Sequence, residues 1–262
     1  MLSTVAWKMG RAGRRLWRAR QRTGVRGLTV EAGKLARDIA KMAPPLAAGY
    51  VFDMRRGIRT RGFVRNEEQL AGVSIGGDPH YYEPIGLTPL RRAVELLPLE
   101  PAATTFVDLG AGRGRGRAVI VAAEMGFGRV LGVELDDELV VQAGENIRRW
   151  RARTRVVTPT RQQVTVVQGD AASYPLPDGP LVVSLFNPFG PNTLRLVLRH
   201  LCQARAASPH TIYVVYLNPE FDRTLSEFPR FVPHARSRDW AVYRLDGVPA
   251  LDRSTDGAVP AS

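Results

Sequence analysis

Residues 105–116 read Thr105-Phe106-Val107-Asp108-Leu109-Gly110-Ala111-Gly112-Arg113-Gly114-Arg115-Gly116. A short apolar run feeds directly into a turn with glycines at 110, 112, 114 and 116. The run reads as a buried strand, and the glycines let the backbone turn tightly and approach a ligand closely. A helical segment, Ala118 to Met125, follows. A glycine-rich turn between a strand and a helix is common in itself and is also the form of nucleotide-binding turns, whose spacings can be compared with it. A phosphate-binding P-loop requires GxxxxGK[ST], but no Lys follows Lys41. A dinucleotide loop requires GxGxxG, yet the sixth position is Arg115 counted from Gly110 and Arg117 counted from Gly112. A start at Gly110 with a displaced third glycine stays open. The spacing DxGxGxG, from Asp108 through Gly110, Gly112 and Gly114, fits a further class.

Outward from this turn the chain alternates. Strands are expected at Thr105–Leu109, Arg129–Glu134, Val164–Gln168, Leu181–Phe186 and Thr211–Leu217, with helices at Glu138–Arg151 and Thr193–Ala204 between them. Phe231–Arg236 and Trp240–Leu245 flank a short turn and read as a hairpin. Upstream, Thr88-Pro89 reads as N-cap and first helical residue of a helix running to about Leu97, closed by Pro98 and Pro101. The pattern predicts an α/β fold with a Rossmann-like doubly wound sheet. That sheet is mostly parallel, has a C-terminal antiparallel hairpin and is preceded by an N-terminal helical extension. The runs Leu181–Phe186 and Ile212–Leu217 suit strands covered on both faces.

The DxGxGxG segment resembles motif I of class I S-adenosylmethionine-dependent methyltransferases, and the resemblance spans about residues 80–246. It implies a cofactor, S-adenosyl-L-methionine, held by Asp108, Gly110, Ala111, Gly112 and Gly114. The second strand ends in Val133-Glu134-Leu135, 22 residues beyond Gly112. A carboxylate there can accept both ribose hydroxyls, and Leu135 follows it. After the third strand comes Gly169-Asp170-Ala171. The resemblance implies that Asp170 accepts from the adenine amino group and that the next backbone N–H, at Ala171, reaches the ring. The fourth strand ends in Phe186-Asn187-Pro188-Phe189-Gly190. This is similar to the motif IV position, [DNS]-P-P-[YF] in amino-methylating members. It implies that Asn187 also meets the cofactor and that Asn187, Pro188 and Phe189 serve catalysis by accepting the acceptor's N–H groups and flanking it with a π-face. The single proline departs from that motif and loosens the amine-specific role.

Each station has a plainer reading by itself. Glu134 can be one of several acids at a helix start, Asp170 a cap, and Asn187-Pro188 a turn. Their succession at strand ends favours the cofactor reading. Tyr81-Tyr82-Glu83-Pro84 is similar to the Tyr-x-Pro-[ST] segment of DOT1-like and related protein-lysine methyltransferases, with Ile85 in place of Ser or Thr. It makes Tyr82 a further catalytic candidate. The acceptor is expected to be a nitrogen or oxygen on a small molecule or a protein lysine. The alternatives are an RNA or DNA acceptor and a non-catalytic binding module. No metal site is expected from Cys202, His80, His200, His210 and His234, which lack ligand spacing.

The 262 residues carry a net charge of +12, and its placement matters more than its size. Residues 1–65 hold 16 Lys/Arg against Glu31, Asp38 and Asp53; residues 66–262 hold 21 against 22. Leu2, Val5, Met9, Ala12, Leu16 and Ala19 make an apolar helical stripe among arginines. A second helix is expected at Glu31–Met42, stopped by Pro44-Pro45. Residues 1–48 thus read as a basic helical extension suited to nucleic acid or an anionic membrane surface. Residues 49–80 read as an irregular connector, 81–247 as the methyltransferase domain and 248–262 as a disordered tail. One Cys and no long apolar run point to a cytoplasmic protein, with mitochondrial-type targeting as the alternative for an Arg-rich, acid-free start.

Overall fold

The computed structural model describes residues 21, 29–30, 32, 34, 47–60, 87–112, 114–153, 163–186, 189–207 and 209–247. The stripe from Leu2 to Ala19, most of Glu31–Met42 and the segments 61–86 and 248–262 lie outside them. Residues 47–56 are helical (α1). There follow α2 (Leu87–Glu95), β1 (Thr105–Leu109), α3 (Arg117–Glu124), β2 (Arg129–Glu134), α4 (Asp137–Arg153) and β3 (Gln163–Gln168). Then come β4 (Leu181–Phe186), α5 (Pro191–Ala207), β5 (Ile212–Leu217), the short α6 (Asp222–Leu225), β6 (Phe231–Arg236) and β7 (Trp240–Leu245).

The seven strands form one sheet in the order β3-β2-β1-β4-β5-β7-β6. Strands β1 to β5 are parallel. β7 runs antiparallel between β5 and β6. Both faces are covered. Phe106, Val182 and Val215 pack towards α1 through α4, against Phe52, Leu90, Ile120, Ile147 and Trp150. Val107, Leu109, Val183 and Val214 pack towards α5, against Leu194, Val197, Leu198 and Leu201. Two-sided burial is why β4 and β5 read as unbroken apolar runs, and each such Val or Leu contributes about 1.5–3 kcal/mol of transfer free energy. From β1 the chain winds outward through β2 and β3, then returns to lay down β4 on the other side. The reversal opens a crevice at the carboxyl ends of β1 and β4, the place where open α/β sheets take ligands.

Two expectations are corrected. The helix expected to open with Thr88 as its cap starts at Leu87, which puts Thr88 inside the first turn. The connector expected to be irregular from residue 49 begins as α1 and stays docked through Thr60. The reason is visible in its faces. Tyr50, Val51 and Met54 are exposed, while the buried positions are Gly49, Phe52, Asp53, Ile58 and Thr60. A buried side that mixes a glycine and an acid with apolar residues carries no hydrophobic periodicity to read.

Candidate functional site

The site begins where β1 delivers its chain to the crevice. Asp108 is paired in register with Gly132 on β2 and Ser184 on β4, and it is 3% exposed. Gly110 then turns with φ 91°, a conformation that favours glycine. Its N–H and that of Ala111 both donate to the Val133 carbonyl, at 2.8 and 3.1 Å. These bonds fold the loop back over β2. The Gly112 N–H donates to Glu134 Oε2 at 3.0 Å. A Cβ on residue 112 would lie 2.4 Å from Glu134 Cγ and 2.5 Å from Leu139 Cβ, so only glycine fits beneath the carboxylate.

Glu134 is held firmly. Its Oε1 accepts from the Leu135 N–H at 2.9 Å and the Asp136 N–H at 3.2 Å. A carboxylate has about four lone-pair sites, so acceptor capacity remains for a ligand hydroxyl. Leu135 stands exposed beside it. The neighbouring station is tied in through the backbone, where the Gly169 N–H donates to the Glu134 carbonyl at 2.9 Å. Asp170 heads the turn that follows: its Oδ1 accepts from the Ala172 N–H at 2.9 Å and its carbonyl from Ser173 and Tyr174. Capping and presentation at the crevice coexist in this side chain. Ala171 is buried beneath.

Asp108, Glu134 and Asp170 stand at the carboxyl ends of β1, β2 and β3. Burial pushes the Asp108 carboxyl up to about 7, and the charge of Glu134 adds to the rise. A cation in the crevice reverses that trend by favouring the ionised form, whereas an anionic pyrophosphate raises the repulsion. The set of acceptors is therefore suited to a positively charged ligand with hydroxyl and amino hydrogens to donate.

At the end of β4, Phe189 is half-buried against the α5-side core cluster. Asn187, Pro188 and Tyr82 lie outside the described residues, as does Arg113. The crevice thus brings together Asp108, Gly110, Ala111, Gly112, Glu134 and Asp170, with Gly114 at the loop's exit to α3.

Four residues behind the loop escaped the sequence reading: Asp53, Thr60, Arg117 and Asn146. All four are buried; Asp53, Thr60 and Arg117 are linked side chain to side chain, and Asn146 bonds the backbone of Arg59 and Arg115 beside them. The one sequence signal is Arg117, a cation at the first position of α3, where the helix dipole disfavours it. An uncompensated cation there calls for a partner from elsewhere in the chain.

No family model and no curated protein matches this chain. Solved structures do. The chain is similar to a SAM-dependent methyltransferase from Aquifex aeolicus, at 15% identity over 60% of this chain and 89% of that one, with a TM-score of 0.45. It is similar to geranyl diphosphate methyltransferase in complex with SAM, at 14% identity over 62% and 86%, TM-score 0.44. It is also similar to the ribosomal protein L11 methylase of Lactobacillus delbrueckii subsp. bulgaricus, at 17% identity over 60% and 75%, TM-score 0.40. These structural neighbours are methyltransferases.

Proposed function

We propose that this protein is an S-adenosylmethionine-dependent methyltransferase acting on a nitrogen or oxygen of a small molecule or a protein lysine. One observation carries the reading. Two buried carboxylates, Asp108 and Glu134, meet at the ends of adjacent strands beside a glycine turn that lacks the dinucleotide spacing. Glu134 and Asp170 supply acceptors for ribose hydroxyls and the adenine amino group. Asp108 supplies negative charge for the ammonium and sulfonium of the methionine part. The cofactor, when bound, supplies an electrophilic methyl group. The protein's contribution is to hold an acceptor atom about 3 Å from it and in line. Asn187, Pro188, Phe189 and Tyr82 are the residues proposed to meet the acceptor. The basic front, residues 1–65, is proposed to face an anionic partner, with nucleic acid or a membrane surface as the fitting classes.

The test is a methyl-transfer assay with tritiated S-adenosylmethionine on cell lysate, separated into protein, RNA and small-molecule fractions. Label is expected in the small-molecule or protein fraction. Label confined to the RNA fraction contradicts the acceptor class, and absence of label from every fraction contradicts the enzymatic reading.

A further inference from the structure

The turn that closes the glycine loop is built on a residue poorly suited to it. Arg115 has φ 47°, a left-handed conformation that side chains other than glycine rarely adopt. Its N–H donates to the Gly112 carbonyl at 2.7 Å, so the strain sits one bond from the glycine that meets Glu134. Something must over-determine this geometry. Asn146 of α4, 3% exposed, donates through Nδ2 to the Arg115 carbonyl and to the Arg59 carbonyl, both at 3.1 Å. Its Oδ1 accepts from the Arg59 N–H at 2.9 Å. One buried amide therefore joins the loop to residue 59, far upstream in sequence.

A second tie runs beside it. Arg117 follows the strained turn and is 2% exposed. Its Nε donates to Thr60 Oγ1 at 2.7 Å, and its Nη2 lies 3.6 Å from Asp53 Oδ1. Thr60 bonds Asp53 through both its hydroxyl and its N–H. The Phe52 ring lies 5.6 Å from the guanidinium carbon, and Gly49 leaves the room that a Cβ would take 3.4 Å from Nη1. Every one of these neighbours belongs to residues 47–60, outside the sheet and its crossover helices.

We propose that Asn146, Arg117 and Asp53 are positioning residues for cofactor binding, and that the docked segment 47–60 is part of what holds the glycine loop in its binding shape. The inference rests on the proposed cofactor. None of the three is placed against a ligand; each acts through the backbone of residues 112–117. Coupling of this kind is reciprocal: if docking of 47–60 favours the cofactor-ready loop, a bound cofactor favours docking.

Two measurements on the full chain test this, with S-adenosylhomocysteine as the probe. Calorimetric titration is run on wild type, Asn146→Ala and Asp53→Asn at a temperature where circular dichroism shows each variant folded. Affinity is expected to weaken about tenfold or more in both variants. Amide hydrogen exchange on wild type needs no variant, and peptides within 47–60 are expected to exchange more slowly when the probe is bound. A purely structural role lowers thermal stability but leaves the folded variants' affinity and the ligand-dependent exchange unmoved. Unchanged affinity in folded variants, or unchanged exchange at 47–60, overturns the inference while leaving the proposed function standing. Failure of wild type to bind the probe overturns both.

Discussion

Asp108 is under two opposed demands. Its position at the end of a strand covered on both faces costs a carboxylate its hydration, while the crevice it borders is proposed to take a cation. Its carboxyl, at about 7 against 3.8 unfolded, binds its proton more tightly in the folded chain. The resulting stability is fully present below pH 3.8 and is lost as pH rises through 7. At about 1.4 kcal/mol per pH unit of displacement, the loss is at most about 4 kcal/mol. Asp108→Asn keeps the shape and removes the titration. Chemical denaturation from pH 4 to 8 is expected to show wild type losing stability relative to Asp108→Asn as pH rises. A constant difference across that range would place the ionisation elsewhere. At the same scale, the glycine at 112 was legible from the DxGxGxG spacing, but its reason was not. What forbids a larger residue is the carboxylate of Glu134, brought over it by the β1–β2 pairing.

At the scale of elements, strands were more legible than helices. β1, β2, β4, β6 and β7 begin and end on the residues that their apolar runs mark, because each run is bounded by turn residues. Helix ends moved by one to three residues, since the last turns are held by local bonds that sequence periodicity does not resolve. α1 was missed because its docking is mixed: Phe52 joins the apolar core, but the ties around it are polar. Arg56 reaches Glu124 of α3 through Nε and Nη2, at 2.5 and 2.7 Å. The same carboxylate accepts from Arg91 Nη2 at 2.9 Å and Trp150 Nε1 at 3.2 Å. One acid therefore joins α1, α2, α3 and α4. Glu124→Ala strands these donors in a partly buried place and is expected to cost about 2–3 kcal/mol. In a thermal melt that is a fall of roughly 4–12 °C for a domain of this size. Affinity for S-adenosylhomocysteine is expected to stay within about twofold of wild type, because Glu124 touches the backs of the helices and not the loop; a melt unchanged from wild type would mean the hub contributes nothing.

For the whole molecule, the charge is separated from the chemistry. The excess sits before residue 66, whereas the described crevice residues lie between 108 and 189 in a stretch of nearly balanced charge. The boundary between the two parts is less sharp than sequence alone implies, because residues 47–60 bring arginines of the basic front onto the domain. A chain starting at residue 29 retains α1 and its ties. It is expected to bind S-adenosylhomocysteine as wild type does, and a loss of binding in calorimetry would make residues 1–28 part of the site. The mostly parallel, doubly wound sheet followed from the alternation of elements and from the resemblance at motif I. The antiparallel pairing of β6 with β7 followed from the short turn between Arg236 and Trp240. The clip around Asn146 did not, since it joins residues 59, 115 and 146 through backbone groups that leave no mark in a sequence.

The central claim is that the crevice at the carboxyl ends of the parallel strands, bordered by Asp108, Glu134 and Asp170, takes S-adenosylmethionine and not a dinucleotide. Isothermal titration of the full chain with S-adenosylhomocysteine and, separately, with NAD tests it most directly. The account predicts micromolar-range binding of S-adenosylhomocysteine, weakened about tenfold to a hundredfold by Glu134→Ala, and no heat with NAD. Binding of NAD without S-adenosylhomocysteine, or an affinity for S-adenosylhomocysteine that Glu134→Ala leaves unchanged, would contradict it.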